Sequence, residues 1–315
     1  MRIAVPRETA AGERRVALVP DGVARLKKAG HDLFVEHGAG EAAGFLDDAF
    51  ATAGATLVGT LPPDAALVVR VRPPTFDEAA RLASGTALVS FLNPSANGGL
   101  LERLATQGVT AFAMELVPRT TKAQSMDALS SQATVAGYKA VLVGASMLPR
   151  FLPMLTTAAG TIPPARAFIA GAGVAGLQAI ATARRLGAIV SAFDVRPVVR
   201  EQVQSLGAAF VEAEAVSSEA EGAGGYAREL GDAQQQRVAE AVARHIRDMD
   251  LVITTAQIPG RPAPRIVTDA MIASMRPGSV VVDLAAESGG NCEGVVAGET
   301  VVRHGVSLMG PVNLA

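Results

Sequence analysis

At 315 residues the chain is about twice the length of a typical single domain, which predicts two domains, each able to bury a core without disulfides or metals. Lys and Arg number 28 against 30 Asp and Glu, a net charge of −2, which leaves no basis for a nucleic-acid footprint or a surface built for anionic membranes. Hydrophobic residues at 49%, aromatics at 4% and no Trp suit buried parallel strands and close-packed helices better than an aromatic binding surface.

The chain opens on Met1-Arg-Ile-Ala-Val-Pro6, a strand pattern and not a signal peptide. No apolar run reaches the ~20 residues of a spanning helix, so a soluble chain without direct membrane insertion is expected. Residues 3–5 read as a strand, and Asp21 as the cap of a helix that runs through Lys28 and ends at Gly30. A strand at 32–36, a helix at 47–53, strands at 66–71 and 87–92, a helix at 100–106 and a strand at 110–115 follow. This alternation predicts a parallel sheet covered on both faces, an N-terminal α/β domain over residues 1–124.

From Ser125 to about Met147, Leu129, Ala133, Ala136, Ala140 and Val143 recur at helical spacing with no strand partner. With the Pro- and Gly-broken stretch after it, residues 125–164 read as a connecting helix and linker. The second domain, residues 165–300, is expected to be of Rossmann type. It has strands at 166–170, 188–193, 208–211, 251–255 and 279–284, and helices at 174–186, 201–206 and 268–275, with a long amphipathic helix before the fourth strand. Residues 212–225, rich in Glu, Ala, Ser and Gly, read as a mobile loop.

The chemistry begins at Gly171-Ala-Gly173-Val174-Ala-Gly176, which follows one apolar strand and opens a helix. Gly171 permits the tight turn, Gly173 lets the backbone approach a pyrophosphate, and Gly176 allows close helix–strand packing. The helix N-terminus offers N–H groups and a positive dipole to the phosphates. Asp194-Val195-Arg196 ends the next strand; the Asp194 carboxylate is placed to accept from the adenosine ribose and to repel a 2′-phosphate, which selects NAD(H) over NADP(H). Arg196 blunts that inference, because an arginine near the ribose tolerates a 2′-phosphate. The alternative is a βαβ turn with no ligand. Cys292, the only cysteine, excludes an intramolecular disulfide; a catalytic thiol is the other reading, without a His–Asn setting to support it. His31, His37, His245 and His304 show no metal-ligand spacing, so no metal is expected.

The segment Pro118-Arg119-Thr-Thr-Lys-Ala-Gln124-Ser-Met-Asp127-Ala-Leu-Ser130-Ser-Gln132 resembles the signature loop and helix of the NAD(H)-binding domain of transhydrogenases, the family related to alanine dehydrogenase. The similarity extends over the chain: Gly12-Glu-Arg-Arg-Val-Ala17, Thr157-Ala-Ala-Gly-Thr-Ile-Pro-Pro-Ala-Arg166, Gly224-Gly225-Tyr226-Ala-Arg228, Thr254-Thr255-Ala256-Gln257-Ile-Pro-Gly-Arg-Pro-Ala-Pro264, and Asp283 through Cys292. The resemblance implies that Arg119, Gln124, Asp127 and Ser130 surround the nicotinamide end of NAD(H), and that Thr255, Ala256 and Gln257 line its site. Tyr226, hinged on Gly224 and Gly225, would fold over bound nucleotide; the bland alternative is an aromatic packing at a helix start.

It further implies hydride transfer to NADP(H) on a partner subunit, coupled to proton movement through membrane-spanning subunits. A homodimer in the cytoplasm, peripheral at the inner membrane, also follows. Residues 301–315 would be a truncated return toward the first domain. Alanine dehydrogenase chemistry, the nearest competitor, needs a lysine and a histidine where this chain has Arg72 and Asn93, with Arg15 at the substrate-carboxylate position. A non-catalytic NAD-binding module is the third reading, and it would not need the Arg119–Ser130 set.

Overall fold

The structure is a computed structural model that describes residues 1–212, 231–258 and 261–315; the expectations for Gly225, Tyr226 and nearly all of the loop around them lie outside the described residues. The chain packs as two compact units, Met1–Leu129 and Ser130–Ala315.

The first unit runs β1 (Arg2–Val5), α1 (Pro20–Lys28), β2 (Asp32–Glu36), α2 (Asp47–Thr52), β3 (Thr56–Val58), β4 (Leu67–Val69), α3 (Phe76–Ala80), β5 (Ala87–Ser90), α4 (Gly98–Thr106) and β6 (Thr110–Ala113). Its six strands are all parallel, in the order β3-β2-β1-β4-β5-β6. Successive β1 side chains point to opposite faces. Ile3 and Val5 join a core with Leu33, Val35 and Phe50, while Ala4 joins another with Val68, Leu88 and Leu104.

Three local features depart from the sequence expectation. Pro20 occupies the first turn of α1 and Val19 its N-cap, so Asp21 does not cap the helix but sits in its first turn, where it opposes the positive end of the dipole. Strand β3 and helix α3 are too short to display a period. Helix α3 is nonetheless marked by a capping box in which Thr75 accepts from the Glu78 N–H and Glu78 from the Thr75 N–H.

The second unit is entered along α5 (Ala128–Met147) and continues with β7 (Leu155–Thr157), β8 (Gly160–Ile162), β9 (Arg166–Ala170), α6 (Val174–Arg185), β10 (Ile189–Phe193), α7 (Arg200–Ser205), β11 (Ala209–Phe210), α8 (Asp232–Ile246), β12 (Leu251–Thr254), α9 (Asp269–Ala273), β13 (Val280–Asp283), β14 (Thr300–Arg303) and β15 (Val306–Met309). Its sheet has the order β11-β10-β9-β12-β13-β15-β14, parallel except for β14. Strands β7 and β8 form a separate antiparallel hairpin in the stretch expected to be an irregular linker.

The helix expected as a connector is built into this unit. Ala140 and Val141 are fully buried with Leu251 and Val282, and Gly137 lets α5 approach α6 so closely that a Cβ there would lie 2.1 Å from the Ala175 carbonyl oxygen. Residues 300–309 do not start a return but add two strands to the second sheet. His304 and Gly305, both at positive φ, make the two-residue turn, and Val306 and Leu308 bury their side chains.

Candidate nucleotide-binding site

The second sheet reverses direction of growth between β9 and β12, and open α/β sheets bind ligands at the carboxyl ends of the strands flanking such a point. The glycine turn lies there. Gly171 has φ +103°, and its N–H donates to the Phe193 carbonyl at 2.8 Å. A Cβ on Gly171 would stand 2.6 Å from Thr255 Oγ1, and one on Gly176 only 1.9 Å from the Gly171 carbonyl oxygen. Thr255 Oγ1 donates to that same oxygen at 3.0 Å, joining the turn to the end of β12. Gly173 differs: a Cβ there would meet nothing within 4 Å. Gly173 is also the N-cap of α6 and has no side chain to cap it, so the first-turn N–H groups, beginning at Val174, face an open approach.

A cavity of ≈ 510 Å³ opens before the turn, within the range of small-molecule and cofactor sites. Gly171, Gly173, Asp194, Val195, Thr255, Ala256 and Gln257 line it, so these sequence-derived candidates come together. Gly176 and Val174 belong to the first turn of α6 behind them. The remaining wall was missed from the sequence: Val238 and Ala239 of α8, and Ile258 and Ile266 beyond β12, supply apolar surface, with Arg261 and Arg265 beside it. The amphipathic period of α8 was legible, but not that part of its apolar face lines a cavity. An apolar wall, an uncapped helix N-terminus and a strand-end carboxylate together fit the adenine, pyrophosphate and ribose of a dinucleotide.

Asp194 is almost fully buried. Its Oδ2 accepts from the Ala172 N–H at 2.7 Å, tying the strand end to the glycine turn. Arg196 approaches the same carboxylate through its own N–H and Nε, both 2.9 Å from Oδ1, and through Nη2, 2.8 Å from Oδ2.

The segment after β12 is held by Asn291, another residue the sequence reading did not single out. Its buried amide accepts from the Ala256 N–H at 3.0 Å and donates to the Ala256 and Pro264 carbonyls, each at 2.8 Å. Gln257 Nε2 donates to the Leu284 carbonyl. Cys292 is fully buried, and burial, then the neighbouring Asp283 charge, pushes its thiol up to about 12, which removes it as a nucleophile at neutral pH. Among the described residues no cluster of three or more His, Cys, Asp or Glu is arranged to hold a metal, and no helix is long and apolar enough to cross a membrane.

Arg119 and Gln124 are exposed, the latter within the 3₁₀ turn Thr121–Met126. Asp127 is half-buried at the end of that turn, and Ser130 half-buried in the first turn of α5. The division between units passes through this short stretch, with Arg119, Gln124 and Asp127 in the first unit and Ser130 in the second.

The first unit has the same order in its first five strands but no glycine turn after β1, where Pro6-Arg7-Glu8 follow instead. Ion pairs cross its switch point, beside a cavity of ≈ 550 Å³ lined by Pro6, Arg7, Glu36, Arg70 and Glu78. Glu8 accepts from the Val71 N–H at 2.6 Å and pairs with Arg70 at 3.6 Å. The fully buried Glu13 carboxylate holds both Arg15, at 2.7 Å, and Arg72, at 3.0 Å. Asn93 stands at φ +44° with its N–H on the Glu115 carboxylate.

Comparison with known proteins agrees with this geometry. The family profiles described as alanine dehydrogenase/PNT, N-terminal domain, and alanine dehydrogenase/PNT, C-terminal domain, match residues 4–136 and 140–315. The chain is 48% identical to the first of the parts that make up the NAD(P) transhydrogenase alpha subunit of Rhodospirillum rubrum, over all of this chain and 84% of that protein. A crystal structure of transhydrogenase from Sinorhizobium meliloti superposes with a TM-score of 0.89 at 46% identity, covering 100% of this chain and 87% of the other. A solved L-alanine dehydrogenase superposes at 0.80 with 30% identity, covering 99% and 83%. The chain therefore belongs to the alanine dehydrogenase/PNT family, and of these three relatives the two transhydrogenases resemble it more strongly than the alanine dehydrogenase.

Proposed function

We propose that this chain is the NAD(H)-binding component of a proton-translocating transhydrogenase. It passes hydride between NAD(H) in the second unit's cavity and NADP(H) on a partner subunit, while membrane-spanning subunits move the proton. The observation that carries this reading is the buried Asp194 carboxylate beside the glycine turn, at the point where the sheet reverses its growth. The N-terminus of α6 receives the pyrophosphate past Gly173, and Asp194 receives the adenosine ribose. Arg119 supplies a fixed cation for the carboxamide or pyrophosphate, Asp127 and Ser130 orient the carboxamide, and Gln124 stands beside the second dinucleotide.

The bound cofactor supplies hydride at its nicotinamide ring, and direct transfer between two such rings requires alignment and exclusion of water but no acid–base residue. Amino-acid oxidation does require one. Arg72 and Asn93 stand where lysine and histidine would serve, and Arg15 and Arg72 are both engaged by Glu13. The chain is placed in the cytoplasm as a homodimer, at the membrane only through its partners.

Mixing the chain with an NADP(H)-binding transhydrogenase subunit should give hydride exchange between the two nucleotide pools, which Arg119→Ala should abolish while also weakening NADH binding. NADH formation that depends on L-alanine would replace this reading with an amino-acid dehydrogenase. NADH binding without exchange would leave a non-catalytic module.

A further inference from the structure

We propose that Arg196 sets the nucleotide selectivity of the cavity, as a counter-ion that Asp194 exchanges for the ribose hydroxyls of NAD(H). The proposal rests on the ribose reading of Asp194 given above. An ionised carboxylate offers about four acceptor positions, and among the described residues four hydrogen bonds reach Asp194. Two come from backbone N–H groups, of Ala172 and Arg196, and belong to the fold of the turn and the strand end. The other two come from the Arg196 guanidinium, Nε on Oδ1 at 2.9 Å and Nη2 on Oδ2 at 2.8 Å. This is the bidentate fork that makes arginine–carboxylate pairs strong. The pair is well shielded from solvent, with side-chain exposures of 13% for Arg196 and 6% for Asp194.

A vicinal ribose diol presents two O–H donors on adjacent carbons. It can replace the two guanidinium donors one for one, leaving both backbone bonds in place. A ribose carrying a 2′-phosphate cannot, because it has lost one donor and brings negative charge toward a carboxylate. What it can use is the guanidinium itself, a planar donor for phosphate oxygens. The same side chain thus opposes NAD(H), by holding the acceptors the diol needs, and offsets the repulsion that would exclude NADP(H).

The test is titration of the full chain with NADH and with NADPH, following nucleotide fluorescence, for the parent, Arg196→Gln, Arg196→Lys and Asp194→Ala, with far-UV circular dichroism and melting as fold controls. The quantity read is the ratio of Kd for NADPH to Kd for NADH, in which any effect on adenine packing cancels. Arg196→Gln should raise that ratio about tenfold or more, the scale of one charge-assisted hydrogen bond. Arg196→Lys keeps the charge without the fork, so NADH binds more tightly, NADPH affinity holds, and the ratio rises by a smaller factor; this variant decides the matter if the glutamine variant does not fold. An unchanged or lower ratio in a folded variant overturns the exchange. Asp194→Ala separates the two readings. Parental NADH affinity in that variant would remove the ribose assignment itself, whereas its loss alongside an unchanged ratio at Arg196 removes only the exchange.

Discussion

At Gly173 the backbone φ is −74° and an added Cβ would touch nothing within 4 Å, so the fold accommodates alanine and only an approaching phosphate meets the methyl group. Gly176 is the opposite case, with the Cβ position 1.9 Å from the Gly171 carbonyl oxygen. We expect Gly173→Ala to melt like the parent while NADH affinity falls about tenfold or more. Gly176→Ala should lose more than about 3 kcal/mol in urea denaturation, because backbone cannot yield as a side chain does. Both glycines, and Asp194, were legible because the spacing of the motif states a backbone geometry. The Arg196 fork and the Asn291 clamp were not. The fork joins residues only two apart and depends on the rotamer that folding selects, whereas the clamp joins groups 35 residues apart in the chain.

Among the elements, α5 and α8 show how packing overrides local preference. Exchanging Gly for Ala inside a helix ordinarily gains ~1 kcal/mol from backbone propensity. At Gly137 the new Cβ would lie 2.1 Å from the Ala175 carbonyl oxygen, so Gly137→Ala should instead lower stability by about 1–3 kcal/mol in the same assay. On α8, His245 packs edge-on against Phe168 at 5.0 Å and shares a 2.6 Å hydrogen bond with Ser191. Burial, then the Arg166 charge, lowers its pKa below the ordinary 6.5, and Asp248 opposes them only in part.

The folded state therefore prefers neutral His245. Its contribution is fully present above pH 6.5, declines as the unfolded chain takes up the proton below that value, and levels off under the lowered folded-state pKa. Urea midpoints should fall as the pH drops through the ordinary histidine range, and fall less in a folded His245→Gln variant; an equal decline in both would assign it to other groups. The length of α5 and the amphipathic period of α8 made their existence readable, whereas β3, α3 and the β7–β8 hairpin, of three to five residues each, carry too few side chains to show a pattern.

For the whole molecule, the two units share the order of their first five strands and each opens a cavity at the switch point, but one carries a glycine turn there and the other buried ion pairs. A nucleotide that binds the folded cavity and not the unfolded chain must stabilise it. NADH at a hundred times its Kd should raise the unfolding free energy by about 2.7 kcal/mol. Calorimetry should register this as a higher transition temperature in the parent and no shift in Asp194→Ala.

By itself the sequence determined the α/β class, the place of the glycine turn and its strand-end carboxylate, and the elements long enough to repeat a pattern. These are local properties, written in spacings of two to about twenty residues. Only the tertiary structure decided that α5 is buried in the second unit, that residues 300–309 extend its sheet, and that Asp194 is shared between the turn and Arg196. Those outcomes depend on which surfaces meet after folding, and close packing between distant segments leaves no period in the chain.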